Sequence, residues 1–190
     1  MVIINSQLAY SEESYKKYFS GEKGIVSIMY HRFNQNNYPS TNIQMDVFKK
    51  HIYSIQDSGH KFLNPNIFNQ IFFTEKLEKK FLLTIDDGYE SFYKHAWPYL
   101  RENKIPFLIF ISTQAVGKRG YMSWDEIKEI EKYDFVNIGN HSHSHDYLVN
   151  FTFDEFKKDI KKSIEIFESE LGYNPKFFSY PFGEYSLQQK

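Results

Sequence analysis

The sequence predicts an α/β fold built on a parallel sheet, and two observations lead to this prediction. Short apolar segments alternate along the chain with longer segments whose apolar residues recur at helical spacing. The polar residues best able to carry chemistry directly follow apolar segments, which is where such folds place an active site. The alternation fits either a barrel-like or a doubly wound sheet.

Apolar segments rich in Val, Ile, Leu and Phe are predicted to form the strands. They comprise residues 24–31, 79–85, 106–112, 135–140 and 176–183. Because a predicted helix separates each strand from the next, we expect the strands to run parallel. Their C-terminal ends should then lie along one edge of the sheet.

The predicted helices show amphipathic spacing and recognisable ends. In the last of them apolar side chains recur every three or four positions, and Gly172 follows the last apolar residue. Ser123 and Glu126 are the residue types of a capping box at the start of another helix. Pro98 predicts a kink or a restart within its helix. The helices are residues 45–59, 89–104, a segment that begins after Ser123, and residues 152–172.

Residues 24–190 are expected to form one domain, preceded by an N-terminal extension, residues 1–23. The extension begins with a short apolar stretch, and it is either the remnant of a secretory signal peptide or an ordinary chain terminus. A secretory signal would direct the protein to the periplasm, the cell envelope or the exterior. An ordinary terminus leaves the cytoplasm open as a location.

The composition narrows the class of protein and of site. The formal net charge is −1 without a long basic block, which argues against nucleic acid as a main partner. No stretch approaches the roughly 18 apolar residues of a transmembrane segment. The chain has no Cys, so a metal would have to be held by histidine and carboxylate. No feature points to a particular oligomeric state.

Two adjacent aspartates, Asp86 and Asp87, end the predicted strand that contains the apolar run of residues 81–83, and Gly88 comes next. Neighbouring carboxylates repel each other, and at the end of a buried strand they are also costly to desolvate. A cation between them would offset both penalties. The pair therefore predicts a metal site.

Three of the seven histidines lie within five positions, in "NHSHSHD" (140–146). If the strand continued, His141, His143 and His145 would all point to one face. In a helix-like loop, His141 and His145 would share a face and His143 would point away. Gly139 favours an ended strand, so we favour the loop. Two imidazoles and one carboxylate form a common catalytic zinc set, with positions left for water and substrate.

With these residues in place, the sequence resembles the polysaccharide deacetylase family, also called the NodB-homology domain or carbohydrate esterase family 4. "TIDDG" (84–88) is similar to the family's T-F-D-D-G, and "HSHSH" (141–145) fits its H-[S/T]-x-x-H. "YPFG" (180–183) resembles the core of its third, proline-containing motif, and "IMYHRF" (28–33) is similar to the opening strand of many members. The resemblance implies a distorted (β/α) barrel.

The resemblance also implies a metal-dependent hydrolytic site. Asp86 would be the catalytic base, and Asp87 would bind a divalent metal together with His141 and His145. His143 would fall in the gap of the motif and would not be a ligand. The metal is expected to be Zn²⁺, with Co²⁺, Ni²⁺ or Mn²⁺ as alternatives.

The third motif and the first strand supply further candidate residues. By resemblance, the backbone N–H of Phe182, which follows Pro181, would help to hold the oxyanion of the reaction. Tyr30 and His31 end the first predicted strand and face the same rim as the metal residues. They are therefore candidates for contact with substrate, as is Tyr180.

The sequence departs from the family pattern at two points. The family's third motif often carries an arginine that pairs with the catalytic base, but Ser179 and Tyr180 precede Pro181 here. The family's general acid is a histidine C-terminal to the third motif, which would fall beyond Lys190. None of the other histidines is predicted to be a positioned acid, and the domain is expected to lack its C-terminal part.

These features predict a hydrolase that removes N-acetyl groups from N-acetylated sugars of a cell-envelope polysaccharide, with a metal-activated water and Asp86 as base. The alternative is a non-catalytic glycan-binding domain with a degenerate site, which Ser179 and the missing acid suggest. A metal hydrolase of another ester or phosphate bond is disfavoured. The sequence has neither a second carboxylate-rich metal site nor a glycine-rich phosphate loop.

Overall fold

A computed structural model describes residues 24–68 and 79–189 of the chain. The predicted N-terminal extension, residues 1–23, lies outside the described residues. Three short strands that the sequence analysis did not predict, β2 to β4, join the predicted ones. The strands are β1 (Ile25–Tyr30), β2 (Arg32–Phe33), β3 (Asn42–Ile43), β4 (Lys61–Phe62), β5 (Lys80–Ile85), β6 (Phe107–Ile111) and β7 (Val136–Asn140), and the helices are α1 (Met45–Asp57), α2 (Trp97–Glu102), α3 (Trp124–Glu131) and α4 (Phe153–Leu171).

The main sheet is parallel, as predicted, and β5 lies at its centre. β1 pairs along one edge of β5, with Tyr30 opposite Ile85. On the other edge, β4 pairs with the beginning of β5 and β6 with its end, while β7 pairs with β6. This register brings the C-terminal ends of β1, β5, β6 and β7 together, so the loops that follow them meet at one edge.

Apolar side chains from the sheet and from the inner faces of the helices form the core. Phe48 and Ile52 of α1 and Ile127 and Ile130 of α3 are buried, at the spacing of one helical face. All of β6 is buried, as expected for a parallel strand covered by helices. Burial of each large apolar side chain stabilises the fold by about 1.5–3 kcal/mol.

The helix ends follow from local side chains. Capping boxes start α3 at Ser123 and Glu126, as predicted, and α4 at Thr152 and Glu155. Gly172 ends α4 in the left-handed conformation, with a φ of 81°. Among the helices in the described part of the chain, none combines the length and apolar character needed to cross a membrane.

The helix predicted over residues 89–104 is divided. Residues Phe92–Ala96 form a π-helical turn, and α2 begins at Trp97. Pro98 lies in the first turn of α2, and it has no N–H to donate to the carbonyls of the π-helical turn before it. Pro98 thus coincides with a change from π-helical to α-helical hydrogen bonding inside one continuous helical segment, and the helix does not restart there.

The strand predicted over residues 176–183 is wrong. Phe178 makes a single bridge to Asn140 of β7, and Pro181–Gly183 form a 3₁₀ turn. Pro181 has no N–H for a strand ladder, and the left-handed φ of 61° at Phe182 is incompatible with a strand. The segment still runs beside the end of β7, since Ser179 N donates to Asn140 O at 3.0 Å.

Candidate metal centre and active site

The turn of Asp86, Asp87 and Gly88 follows β5 at the edge where the loops meet. Asp86 N donates to Tyr30 O at 2.9 Å, which extends the β1–β5 ladder by one residue. Asp87 and Gly88 have left-handed φ values of 73° and 69°. Glycine adopts this conformation freely and aspartate more readily than most residues. A Cβ at Gly88 would lie 2.7 Å from Ile111 Cδ1, so the turn also packs closely on β6.

The histidine loop, residues 141–145, follows β7 and turns sharply. Its left-handed positions are Ser142 and His145, with φ values of 67° and 57°. Asn140 Oδ1 accepts a hydrogen bond from Ser142 N at 2.9 Å, and Ser142 Oγ accepts one from His145 N at 3.0 Å. The rings of His141 and His145 come together with centroids 4.9 Å apart. This is the arrangement predicted for a helix-like loop, and the alternative in which the strand continues through the three histidines is wrong.

Asp159 of α4 holds the histidine loop from behind. Its side chain is buried, and its Oδ1 and Oδ2 accept hydrogen bonds from His143 N at 2.7 Å and Ser144 N at 2.9 Å. The carboxylate thereby satisfies two N–H groups that no longer belong to a strand. The ring of His143 instead lies against Thr113, with Nδ1 2.9 Å from the hydroxyl oxygen.

Asp87, His141 and His145 converge although they come from two loops. One carboxylate oxygen and two ring nitrogens lie within 4.8 Å of one another. Asp87 Oδ1 is 2.7 Å from His145 Nε2 and 3.4 Å from His141 Nε2. His141 Nδ1 lies 2.8 Å from the carbonyl oxygen of Ser179. Because a carbonyl can only accept, Nδ1 carries the hydrogen, and Nε2 of the neutral ring keeps its lone pair toward Asp87.

Burial and neighbouring charges shift the pKa values of this cluster in opposite directions. Burial would raise the pKa of Asp87, but contact with His141 and His145 outweighs it and holds the pKa well below its usual range. Burial would lower the pKa of His141, but contact with Asp87 and the charge of Asp86 raise it. The cluster thus keeps a carboxylate charged although its side chain is only 7% exposed.

The three residues fit a divalent cation. Asp87 Oδ1 is buried and has no hydrogen-bond partner among residues 24–68 and 79–189. The two imidazole nitrogens are close to this oxygen, but they lack the direction of a hydrogen bond. A buried carboxylate oxygen in this state is unfavourable unless a positive charge meets it. The set of two nitrogens and one oxygen suits Zn²⁺, and the ligand roles of these residues stay a prediction.

Asp86 lies beside the cluster with a different set of contacts. Within the described ranges its buried Oδ1 has no hydrogen-bond partner, and its Oδ2 meets the Ser179 hydroxyl at 3.5 Å. Burial raises the pKa of this carboxyl, against the charges of His141 and His31. Ser179 precedes the third motif, where an arginine is common in the family pattern. Its long hydrogen bond is much weaker than an ion pair would be.

His31 adjoins Asp86 across the sheet. It follows Tyr30, whose carbonyl accepts the Asp86 N–H, so it occupies the next position of the β1–β5 register. The charge of His31 lowers the pKa of Asp86, which also reflects their proximity. The expectation that no histidine is positioned as an acid stays a prediction, and His31 is the histidine to test against it. The sequence placed His31 at the end of a predicted strand, but it did not show which strand would pair beside that strand.

Two predicted rim residues pack elsewhere. The ring of Tyr30 meets Phe48 edge-on at 5.0 Å, and its hydroxyl lies 2.9 Å from His51 Nδ1, both on α1. The Tyr180 hydroxyl donates to Gln189 O at 2.6 Å. In the contacts that the described residues make, neither side chain reaches the cluster. Their assignment to the substrate rim gains no support.

Phe182 lies at the cluster through its ring. Pro181 is buried at the start of its turn, and the left-handed backbone of Phe182 carries a side chain that is 63% exposed. The ring centroid is 5.2 Å from that of His145. The role of the Phe182 N–H in holding an oxyanion stays a prediction.

A cleft of about 220 Å³ opens beside Asp87 and His145. Most of its wall comes from the loop between β6 and α3, which backbone hydrogen bonds tie to the aspartate turn. Met122 N donates to Gly88 O, and Glu90 N donates to Gly120 O, each at 2.9 Å. The largely polar lining suits a ligand rich in hydroxyl groups. The other lining residues are Ser112, Gln114, Ala115, Lys118, Tyr121 and Ser144.

Comparison with known proteins agrees with this site. The sequence profile of a family described as polysaccharide deacetylase matches residues 74–189, more than half of the chain. The chain belongs to the polysaccharide deacetylase family. The matched range contains the aspartate turn, the histidine loop and the Pro181–Gly183 turn.

Individual deacetylase relatives extend the similarity toward the N-terminus. YxkH of Bacillus subtilis is 26% identical over 161 residues, which cover 84% of this chain. The poly-beta-1,6-N-acetyl-D-glucosamine N-deacetylase of Staphylococcus aureus is 24% identical over 200 residues, covering 90% of this chain and 69% of that protein. The chain spans only 57% of the length of YxkH.

The structure of IcaB from Ammonifex degensii is similar throughout most of the fold. The TM-score is 0.81 at 26% identity, and the match covers 88% of this chain and 78% of IcaB. Solved deacetylases of this type have a barrel-like (β/α) fold. The prediction of a distorted barrel of the polysaccharide deacetylase family is confirmed.

Proposed function

We propose that the protein is a metal-dependent N-deacetylase that acts on N-acetylated sugars of a cell-envelope polysaccharide. The observation that carries the proposal is the different surroundings of two adjacent carboxylates. Asp87 faces His141 and His145, whereas Asp86 lies beside them with a buried oxygen that has no hydrogen-bond partner in the described part of the chain. The name of the Staphylococcus aureus relative supports an N-acetylated glucosamine polymer as substrate. Such a substrate would place the enzyme in the periplasm, the envelope or the exterior.

Asp87, His141 and His145 would hold the divalent cation, which we take to be Zn²⁺ from the nitrogen-rich donor set. When bound, such a cation supplies a nucleophilic water at neutral pH and polarises the acetamide carbonyl. The hydrogen bond from His141 Nδ1 to Ser179 O orients the ring and leaves Nε2 available as the atom that would bind the cation. The charge of Asp87 would offset part of the charge of the cation.

Asp86 would accept the proton of the attacking water. The histidines contact Asp87 and leave the Oδ1 of Asp86 without a partner in residues 24–68 and 79–189. Because burial raises the pKa of Asp86, this carboxylate is a stronger base than an exposed aspartate. A base of this kind must lie next to the attacked carbonyl, as Asp86 does if the amide binds at the cation.

His31 would supply the proton that the leaving amine needs. Breaking the amide C–N bond releases the sugar nitrogen as an amine, and a positioned acid lowers the barrier of this step. His31 is half-buried and adjoins Asp86, so acid and base would lie on neighbouring strands. The Phe182 N–H, after the turn at Pro181, would donate to the oxyanion.

Release of acetate from N-acetylglucosamine oligomers by the Zn²⁺-loaded chain tests the proposal. We expect a chelator to abolish release and added Zn²⁺ to restore it. Asp86→Asn should lower kcat by about 10²- to 10⁴-fold, because a general base is lost, while Zn²⁺ binding measured by calorimetry is retained. Oligomer binding without any turnover by the unmodified chain would favour the glycan-binding alternative.

The variant His31→Gln tests the proposed acid independently of the proposed base, Asp86. We expect kcat for the N-acetyl substrate to fall by about 10²-fold or more. Hydrolysis of an activated acetyl ester should fall much less, because its leaving group departs without a proton. His95→Gln is the matched control, since His95 is exposed on the π-helical turn. Equal losses on amide and ester would exclude His31 as the acid.

A further inference from the structure

Surfaces of opposite charge flank His145. One is the cleft described above, whose β6–α3 loop presents Lys118 and Tyr121; we call it the lysine side. The other lies outside this cleft and consists of Phe182, Tyr147 and Glu184; we call it the aromatic side. Both adjoin His145, so a polymer with one sugar at the metal centre would extend its next sugars over these two surfaces.

The lysine side is polar, and its β6–α3 loop carries the positive charge of Lys118, whereas the Asp87 that also lines the cleft belongs to the metal centre, where a bound cation would offset its charge. Lys118 is exposed, lines the cleft together with His145, and is followed by Arg119. The Tyr121 ring packs at a tilt against the ring of Tyr89, with centroids 4.9 Å apart, which supports the wall of the cleft. Hydroxyl and acetamide groups can hydrogen-bond with this wall. A positively charged group on a bound sugar would be repelled by Lys118.

The aromatic side combines exposed rings with a carboxylate. The ring of Phe182 is 5.2 Å from His145 and 5.4 Å from Tyr147. Both aromatic side chains are exposed, at 63% and 36%. Glu184 directly follows the Pro181–Gly183 turn that carries Phe182, and its proximity raises the pKa of the Tyr147 phenol. Aromatic faces and a carboxylate both attract an ammonium group.

We propose that these two surfaces make the enzyme read the acetylation state of the sugars on either side of the one it hydrolyses. The lysine side accepts a neutral N-acetylated sugar and rejects a glucosamine, whereas the aromatic side accepts a glucosamine. This inference rests on the proposed function and adds a selection among substrates to it.

The charge of the product gives the selection its physical basis. Deacetylation turns a neutral acetamide into an amine that is protonated at neutral pH. A unit charge about 4 Å away in water changes an equilibrium by about five-fold. An already deacetylated neighbour is therefore disfavoured on one side of the reacting sugar and tolerated on the other. The polymer would be deacetylated with a direction along the chain.

Three synthetic β-linked glucosamine trimers test the inference. One is fully N-acetylated, and the other two carry a single free amine, at the reducing or at the non-reducing end. We expect kcat/KM for release of the central acetyl group to differ between the two isomers by about five-fold or more. Lys118→Gln should reduce this ratio by raising the disfavoured isomer, and Glu184→Gln by lowering the favoured one. Salt at about 1 M should also reduce it, since screening then acts within about 3 Å.

Lys132→Gln is the matched control. Lys132 is exposed after α3, before the start of β7, and therefore lies at the opposite edge of the sheet. It should leave the ratio unchanged. Hydrolysis of both isomers at equal rates, or a ratio that Lys118→Gln and Lys132→Gln change alike, would overturn the inference while the proposed function stands. If no trimer is hydrolysed, the proposed function fails, and calorimetric binding of the two isomers still decides whether the surfaces discriminate.

Discussion

The two halves of the candidate metal centre are held in place by different means. The aspartate turn is fixed by backbone groups: Asp86 N bonds to Tyr30 O, and Gly88 O accepts from Met122 N. In the histidine loop, the N–H groups of four consecutive residues instead donate to side-chain oxygens. The donors are residues 142 to 145, and the acceptors are Asn140, Asp159 (for two of them) and Ser142.

This difference predicts how each half responds to substitution. The aspartate turn depends on the pairing of β5 with both of its neighbours, so disturbing it disturbs the sheet. The histidine loop also shares backbone hydrogen bonds with the end of β6 and the residues after it, but its own N–H groups at residues 142 to 145 depend on a few polar side chains, one of them on α4 outside the sheet. Substitutions of these side chains should therefore alter the metal centre with little effect on the fold.

The largest effect is expected where the two halves meet, at Asp87. Saturating Zn²⁺, at about 100 times its Kd, should stabilise the unmodified protein by about 2.7 kcal/mol and raise its Tm by about 5–10 °C. Asp87→Asn removes the carboxylate charge that faces both imidazoles, so the rise should disappear together with activity. Asp86→Asn, measured by the same thermal shift, should keep the rise. If Zn²⁺ raises the Tm of both variants equally, Asp87 is not a ligand.

A smaller effect is expected at Asp159, which supports only the histidine loop. Asparagine offers one acceptor oxygen, so Asp159→Asn leaves one of two N–H groups without its bond. We expect Zn²⁺ affinity to fall by about 10- to 100-fold, with kcat restored at saturating Zn²⁺. Glu165→Gln on the exposed face of α4 is the control. A kcat that stays low in excess Zn²⁺ would contradict a role through metal binding alone.

The smallest effect is the expected difference between Gly88 and Gly117, which appears in the free energy of unfolding. Gly117→Ala, in open space at a φ of 76°, should cost about 1–2 kcal/mol from backbone strain. Gly88→Ala should cost about 1 kcal/mol more, because the added Cβ meets Ile111 Cδ1 at 2.7 Å. Ile111→Val removes that atom and should recover the difference in urea unfolding of the double variant. Equal costs at the two glycines would show that packing on β6 does not hold the turn.

Much of the fold was predictable because the signals are local. Alternating apolar and amphipathic segments gave the order of the long strands and helices, and Ser123 with Glu126 gave the start of α3. The strand expected over residues 176–183 failed because its apolar residues did not outweigh Pro181 and the left-handed Phe182. Apolar composition alone does not distinguish a strand from a segment that merely runs beside one.

The sequence by itself determined the fold class and the candidate metal residues, because adjacent carboxylates at a strand end and closely spaced histidines are visible without any long-range contact. Only the tertiary structure decided that His31 lies beside Asp86, that Tyr30 turns to α1, and that Asp159 supports the histidine loop. These relations depend on strand register and on the packing of a helix against a loop. Both arise from pairings between distant parts of the chain, which no local pattern of residues encodes.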